Sequence, residues 1–214
     1  MSVTTKPSKD DVVAAFRRGA LLDAARRVFG TRGFEQATMD AIADEAGVAK
    51  GTIYLYYPSK QSIHDATFAA GTAELTALTD ARVEAAPTPK AAIAAFVHTR
   101  VAYFQEHPDY FRMYVTEVSR IVTDRAPRKG VCRTALDGHT RALQGVIEQA
   151  VARGDVRGVD AAATALAVFD LTRGLVARRV LTGAKSDASR DIAFLTDLIW
   201  AGLQPGPSAE GHTA

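Results

Sequence analysis

Residues 38–57, TMDAIADEAGVAKGTIYLYY, constrain the fold more than any other stretch, because two short helical patterns are separated there by a break of only a few residues. In the first pattern Met39, Ile42, Ala43 and Ala46 fall on one face. Thr38 stands where a side-chain oxygen caps a helix start, with Asp40 in the positive first turn. Gly47 ends that helix, and the pattern resumes in KGTIYLYY. A preceding helix is expected over 12–31, with Phe16, Leu21, Ala25, Val28 and Phe29 as its inward stripe and an end near Gly30 to Gly33.

Two short helices joined by a tight Gly-containing turn and braced by a third make a helix-turn-helix, whose second helix enters the DNA major groove. At about 100° per residue, Ile53 and Tyr57 share an edge that suits the three-helix core. Gly51, Thr52, Leu55 and Tyr56 occupy the opposite arc, with Tyr54 at the border and within reach of a phosphate. Gly51 lets backbone approach backbone, Thr52 can bond a base edge or touch a thymine methyl, and Leu55 makes apolar contact only. Thr38 and Lys60 flank the unit at helix starts, where phosphate is welcome.

The rest of the chain repeats the helical period with hardly a strand signal. Helices are expected near 60–85, 88–106, 109–123, 128–153, 160–182 and 187–203, about nine in total, giving an all-α fold. The expected organisation is a disordered tail at 1–11, a DNA-binding domain at 12–63 with its helix-turn-helix at about 38–57, a helical body at 64–204, and a second tail at 205–214.

Composition fits one helical core or a small domain joined to a larger one: 214 residues, 47% hydrophobic and 23% charged. Nothing approaches the roughly 18 consecutive apolar residues of a membrane span, and MSVTTKPSKDD lacks the apolar region of a secretory signal, so a cytoplasmic protein without membrane contact is expected. The lone Cys132 reads as a small buried side chain, and no Cys/His spacing or pairing of His98, His107 and His139 indicates a metal. No Gly-rich phosphate loop, paired-carboxylate site or nucleophile elbow points to an enzyme or a cofactor. The net charge of +2 lies wholly within residues 1–63, which hold 9 Lys and Arg against 7 Asp and Glu.

The run LLDAARRVFGTRGFEQATMDAIADEAGVAKGTIYLYYPSKQSI resembles the N-terminal domain of the TetR family of transcriptional regulators in the order and spacing of nearly every element. One departure is Tyr57, where the family usually has Phe. The resemblance implies phosphate contacts at Thr38 and Lys60, and a recognition helix presenting Ala49, Lys50, Gly51, Thr52, Tyr54 and Tyr56. It also implies that the last two long helices pair with their copies in a homodimer. That casts Leu166, Gly174, Ala177 and Leu181 on one helix and Ile192, Leu195, Leu198 and Ile199 on the other as interface.

The resemblance further implies a ligand cavity among the middle helices. Phe96, Tyr103, Phe104, Tyr110, Met113 and Tyr114 cluster within residues 96–114, and with Phe169 they are the candidate lining for a small, largely apolar effector. Arg100, Asp170 and Arg173, together with Glu117, are candidates to orient a polar group. The expected protein is a homodimeric repressor on a pseudo-palindromic duplex operator, released by that effector, with the 60–85 helix as lever.

Overall fold

The computed structural model describes residues 8–123, 138–183 and 187–205. Among the described residues there are nine helices and no strand. Cys132, the two outermost tails and residues 128–137 of the helix expected at 128–153 lie outside them.

The chain forms two compact units. The first contains residues up to Gly71 together with a later segment from Pro108. Its opening helix, α1 (Lys9–Gln36), starts on a reciprocal cap in which Asp11 N–H donates to Ser8 Oγ and Ser8 N–H to the Asp11 carboxylate. It begins earlier than expected, and Phe16 is 78% exposed rather than inward. The buried stripe starts at Leu21 and continues through Ala24, Ala25, Val28 and Phe29. Gly33, at φ 72°, breaks the helical geometry where an end was expected, and one more turn follows to Gln36. Gly30 stays helical, and its role is packing: a Cβ there would lie 2.6 Å from the Cβ and carbonyl oxygen of Asp109.

Next come α2 (Met39–Glu45) and α3 (Lys50–Tyr56). Thr38 caps α2 by accepting from Ala41 N–H at 3.1 Å, and Ile42 and Ala43 are buried against α1. Gly47 turns the chain at φ 66°. The long α4 (Lys60–Glu84) starts just after Pro58, where Ser59 and Ser62 exchange hydrogen bonds. The unit is completed by α6 (Pro108–Thr123), which packs along α1 and buries Tyr110, Phe111 and Tyr114.

The second unit holds the remainder of α4 from Thr72, then α5 (Pro89–Glu106), α7 (Arg141–Arg153), α8 (Ala161–Thr182) and α9 (Ala188–Leu203). Threonine and aspartate caps start α5 and α8 at Thr88 and Asp160. α7 starts later than its sequence pattern suggested, because Gly138 to Thr140 form a turn. The core is built around α5, which packs on α7, α8 and α9. It buries Ile93, Phe96, Val97, Val101 and Phe104 against Leu143, Ile147, Ala165, Val168 and Val176.

Candidate nucleic-acid interface and helical body

α3 is anchored by one side chain. Ile53 is fully buried, whereas Ala49, Lys50, Gly51, Tyr54 and Leu55 are exposed, the last at 82%. Thr52 and Tyr56 are half-buried. A leucine at that exposure gains nothing from its own fold, which suits a residue waiting for an apolar surface such as a thymine methyl. Tyr57 departs from the core role expected of it: it is the C-cap of α3, in extended backbone, and only half-buried. Its hydroxyl is held above the ordinary tyrosine range by burial, against an opposing pull from the Arg18 charge.

The cations expected at phosphates are already engaged in the DNA-free chain. Lys50 Nζ bonds the Asp40 carboxylate at 2.8 Å, which raises its pKa. Lys60 Nζ donates to the carbonyl oxygens of Phe34 and Glu35 and lies over the Phe34 ring. Thr38 spends its hydroxyl oxygen on the α2 cap. Arg18 was not among the expected site residues, yet its guanidinium stands 5.7 Å from the centre of the Tyr56 ring. Its sequence signal, a second arginine three residues before the first buried leucine, is too common to single out.

The ten residues expected at an effector site are divided between the two units. In the first unit Tyr110 and Tyr114 surround Phe68, the Tyr110 hydroxyl donating to its carbonyl oxygen, and Met113 is buried. In the second unit Phe96 and Phe169 sandwich Arg100, at 5.4 and 4.8 Å from its guanidinium. Arg100 is only 3% exposed, and its Nη2 is 3.3 Å from His139 Nδ1. Burial, and secondarily the Arg100 charge, pushes His139 down to about 3, so the imidazole is neutral. Tyr103 and Phe104 are buried, the Tyr103 hydroxyl donating to Glu74 at 2.8 Å. Asp170 and Arg173 instead pair with each other on the exposed side of α8.

On α8 and α9 the sequence pattern and the surface disagree in part. Ile192 and Leu195 are buried within the unit, which corrects their assignment to an outer face. Leu166, Gly174 and Leu198 are exposed, and Ala177 and Ile199 are half-buried. The Leu181 side chain lies outside the described set. Leu171 and Phe194, the latter 69% exposed, belong to the same apolar surface and were missed. An open trough of about 520 Å³ runs along both helices between Ala163, Ala167, Leu171, Leu198 and Ile199.

A helix-turn-helix head followed by a helical body defines a DNA-binding transcriptional regulator, and the comparisons agree. The model for bacterial regulatory proteins of the tetR family matches residues 21–67. The fatty acid metabolism regulator protein of Bacillus subtilis is 23% identical over 180 residues, covering 84% of this chain and 89% of that protein. An HTH-type transcriptional repressor of Rhodococcus jostii is 28% identical over 156 residues, covering 72% and 75%. The crystal structure of the regulator FadR from B. subtilis in complex with stearoyl-CoA superposes with a TM-score of 0.75 at 22% identity, over 86% of this chain and 98% of that one. Residues 21–67 thus carry the N-terminal domain of the tetR family of bacterial regulatory proteins.

Proposed function

We propose that the protein is a homodimeric repressor that works in the cytoplasm, reads a pseudo-palindromic operator through α3, and is released by a long-chain acyl compound. The observation that carries the DNA reading is α3 itself, which is pinned by Ile53 alone while Gly51, Thr52, Tyr54 and Leu55 face outward together. Dimerisation is supported by the apolar surface of Leu166, Leu171, Phe194 and Leu198. Repression is supported by the Rhodococcus repressor, whose match extends well beyond the head. An acyl effector is supported by the FadR complex and by a body walled by Phe96, Val97, Val101 and Phe104, with Arg100 set among the rings as an anion partner. The covalent link is α4, which belongs to the first unit up to Gly71 and to the second from Thr72. An effector dissociates DNA only by favouring the state that binds DNA less well.

The test is selection of duplexes from a random pool by the full chain, followed by titration of the complex with stearoyl-CoA and with free coenzyme A. The proposal expects enrichment of a two-fold site with half-sites about one helical turn apart or a multiple of it. It expects release by the acyl compound alone. Enrichment of a site that no acyl compound releases overturns the effector assignment and leaves the DNA reading standing.

A further inference from the structure

We propose that the N-terminal half of α1, through Arg18 with Arg17 beside it, is a second DNA contact that grips phosphates flanking the bases read by α3. This rests on the DNA-binding reading of α3. Residues 11–20 contribute no buried side chain, and the first is Leu21. From Lys9 to Ala20 the helix therefore extends about 18 Å beyond its packed part. A helix of that length without a packed face draws little stability from its own propensity. The Ser8–Asp11 cap secures its start, and Val12, Val13 and Phe16 remain exposed along it.

What fits this extension follows from charge and from position. On α1, α2 and α3, Arg26 pairs with Asp109, Arg27 with Glu45 and Lys50 with Asp40. Among the described side chains of these helices, Arg17, Arg18 and Arg32 are the cations without a carboxylate partner. Arg32 is fourteen residues from Arg18, about 21 Å along the helix. Arg18 is the one beside the recognition helix, with its guanidinium 5.7 Å over the Tyr56 ring, so the extension continues the surface that α3 presents. Among the described side chains the acid on its face is Asp11, whose carboxylate is turned into the Ser8 cap. An arginine held against a ring keeps its donors in a fixed plane, which suits a phosphate oxygen pair. A contact of this kind carries no base information, and it lengthens the footprint beyond the bases under α3.

The experiment uses the full chain and a site that the wild type selects from a random pool, prepared with extended flanks and trimmed at its ends. Arg18→Ala and the Arg17→Ala/Arg18→Ala double variant are titrated between 50 and 200 mM salt. Each phosphate that a variant no longer neutralises should shrink the wild-type advantage about 3.5-fold across that range. Selected and scrambled flanked duplexes should lose affinity by the same factor, and the trimmed duplex should bind wild type and variants alike. Arg18→Lys, which keeps the charge, should keep most of the salt slope. Equal slopes for wild type and the double variant on the flanked duplex overturn the proposal while α3 stands. Equal slopes with a changed sedimentation coefficient assign the face to a second copy of the chain and overturn it as well. If the wild type selects no duplex, the reading of α3 and this proposal fall together.

Discussion

Lys60 Nζ lies 2.8 Å from the carbonyl oxygen of Phe34 and 4.5 Å from the centre of the same residue's ring. A cation on carbonyls near the end of α1 satisfies acceptors that no further helical turn can reach. It also fastens the start of α4 to α1, where His64 lies edge-on between the rings of Phe29 and Phe34. Removing the ammonium in Lys60→Ala should cost about 1–2 kcal/mol, since the group is only part-buried and water replaces some of its bonds. That corresponds to a melting temperature about 3–6 °C lower for a chain of this size. Thermal unfolding checks it. An unchanged midpoint would mean the latch contributes nothing, and any loss of DNA affinity would then report a phosphate contact alone.

Gly30→Ala tests a second latch on α1. Alanine is the better helix former by about 1 kcal/mol, so an exposed glycine would gain from the exchange. Here the new methyl would meet Asp109 backbone atoms at 2.6 Å, and backbone cannot rotate away. Overpacking of that kind costs about 1–3 kcal/mol and dominates. The variant should be less stable by urea unfolding and should weaken the Arg26–Asp109 pair, 3.2 Å apart in the parent. Gly19→Ala has nothing within 4 Å and is the control, expected to be neutral or stabilising.

These two glycines mark where the sequence stopped being legible. The α2 cap was readable because a cap is a local bargain: Thr38 bonds a backbone N–H three residues on, and Ser59, Thr88 and Asp160 do the same. Most helix limits followed within a residue or two. Periodicity says that a face is apolar, and says nothing about whether another element covers it. Phe16 fits the stripe and stands in solvent, while Gly30 reads as a stop and is a close approach. On α9 apolar residues sit on more than one face, so Leu195 and Phe194 could not be told apart until α5 and α8 were placed. The exposed face of α3 was legible because one anchor, Ile53, fixes the rotation of seven residues. The engagement of Lys60 and Arg18 was not, since both depend on partners distant in sequence.

His139 gives the body a pH response with a definite sign. Folding holds the imidazole down at about 3 from an ordinary 6.5, so between those values the unfolded chain carries a proton that the folded chain does not. Stability therefore rises with pH across that window. It is fully present above about pH 6.5 and declines as pH falls toward the folded value, by at most about 1.4 kcal/mol per unit. Urea midpoints at pH 7 and pH 5 should differ more for wild type than for His139→Gln, which cannot take up the proton. Parallel pH profiles would remove His139 as the source.

Base discrimination should rest on α3 side chains and not on its cations. Thr52→Ala and Leu55→Ala leave Ile53 and the fold untouched, because neither side chain is buried. Each should reduce the preference for the selected site over a scrambled duplex by about 1–3 kcal/mol while leaving scrambled binding and the salt slope in place. Lys60→Ala should instead weaken both duplexes alike. Anisotropy titrations on the two duplexes separate the patterns. Equal losses on both duplexes for Leu55→Ala would show that this side chain does not reach a base.

Assembly makes a sharper distinction among neighbours on one helix. Phe194 and Leu198 are four residues apart and so share a face of α9, exposed at 69% and 56%, whereas Leu195 is 7% exposed. On α8, Leu166 and Leu171 extend the apolar surface, and Gly174 has nothing within 4 Å of where a Cβ would stand. A glycine in an exposed helix interior costs about 1 kcal/mol relative to alanine, and the protein's own packing does not require it. The proposed two-fold dimer would supply a reason, in the close approach of a second helix. Phe194→Glu or Leu198→Glu should give a folded monomer, with the helical circular dichroism and urea midpoint of a protomer. Leu195→Glu should unfold the body, since it buries a charge without a partner. Sedimentation velocity at micromolar concentration reads the outcome directly. A wild-type monomer, or a Phe194→Glu/Leu198→Glu double variant that remains dimeric, would move the interface off this face and remove the geometric basis for two half-sites one turn apart.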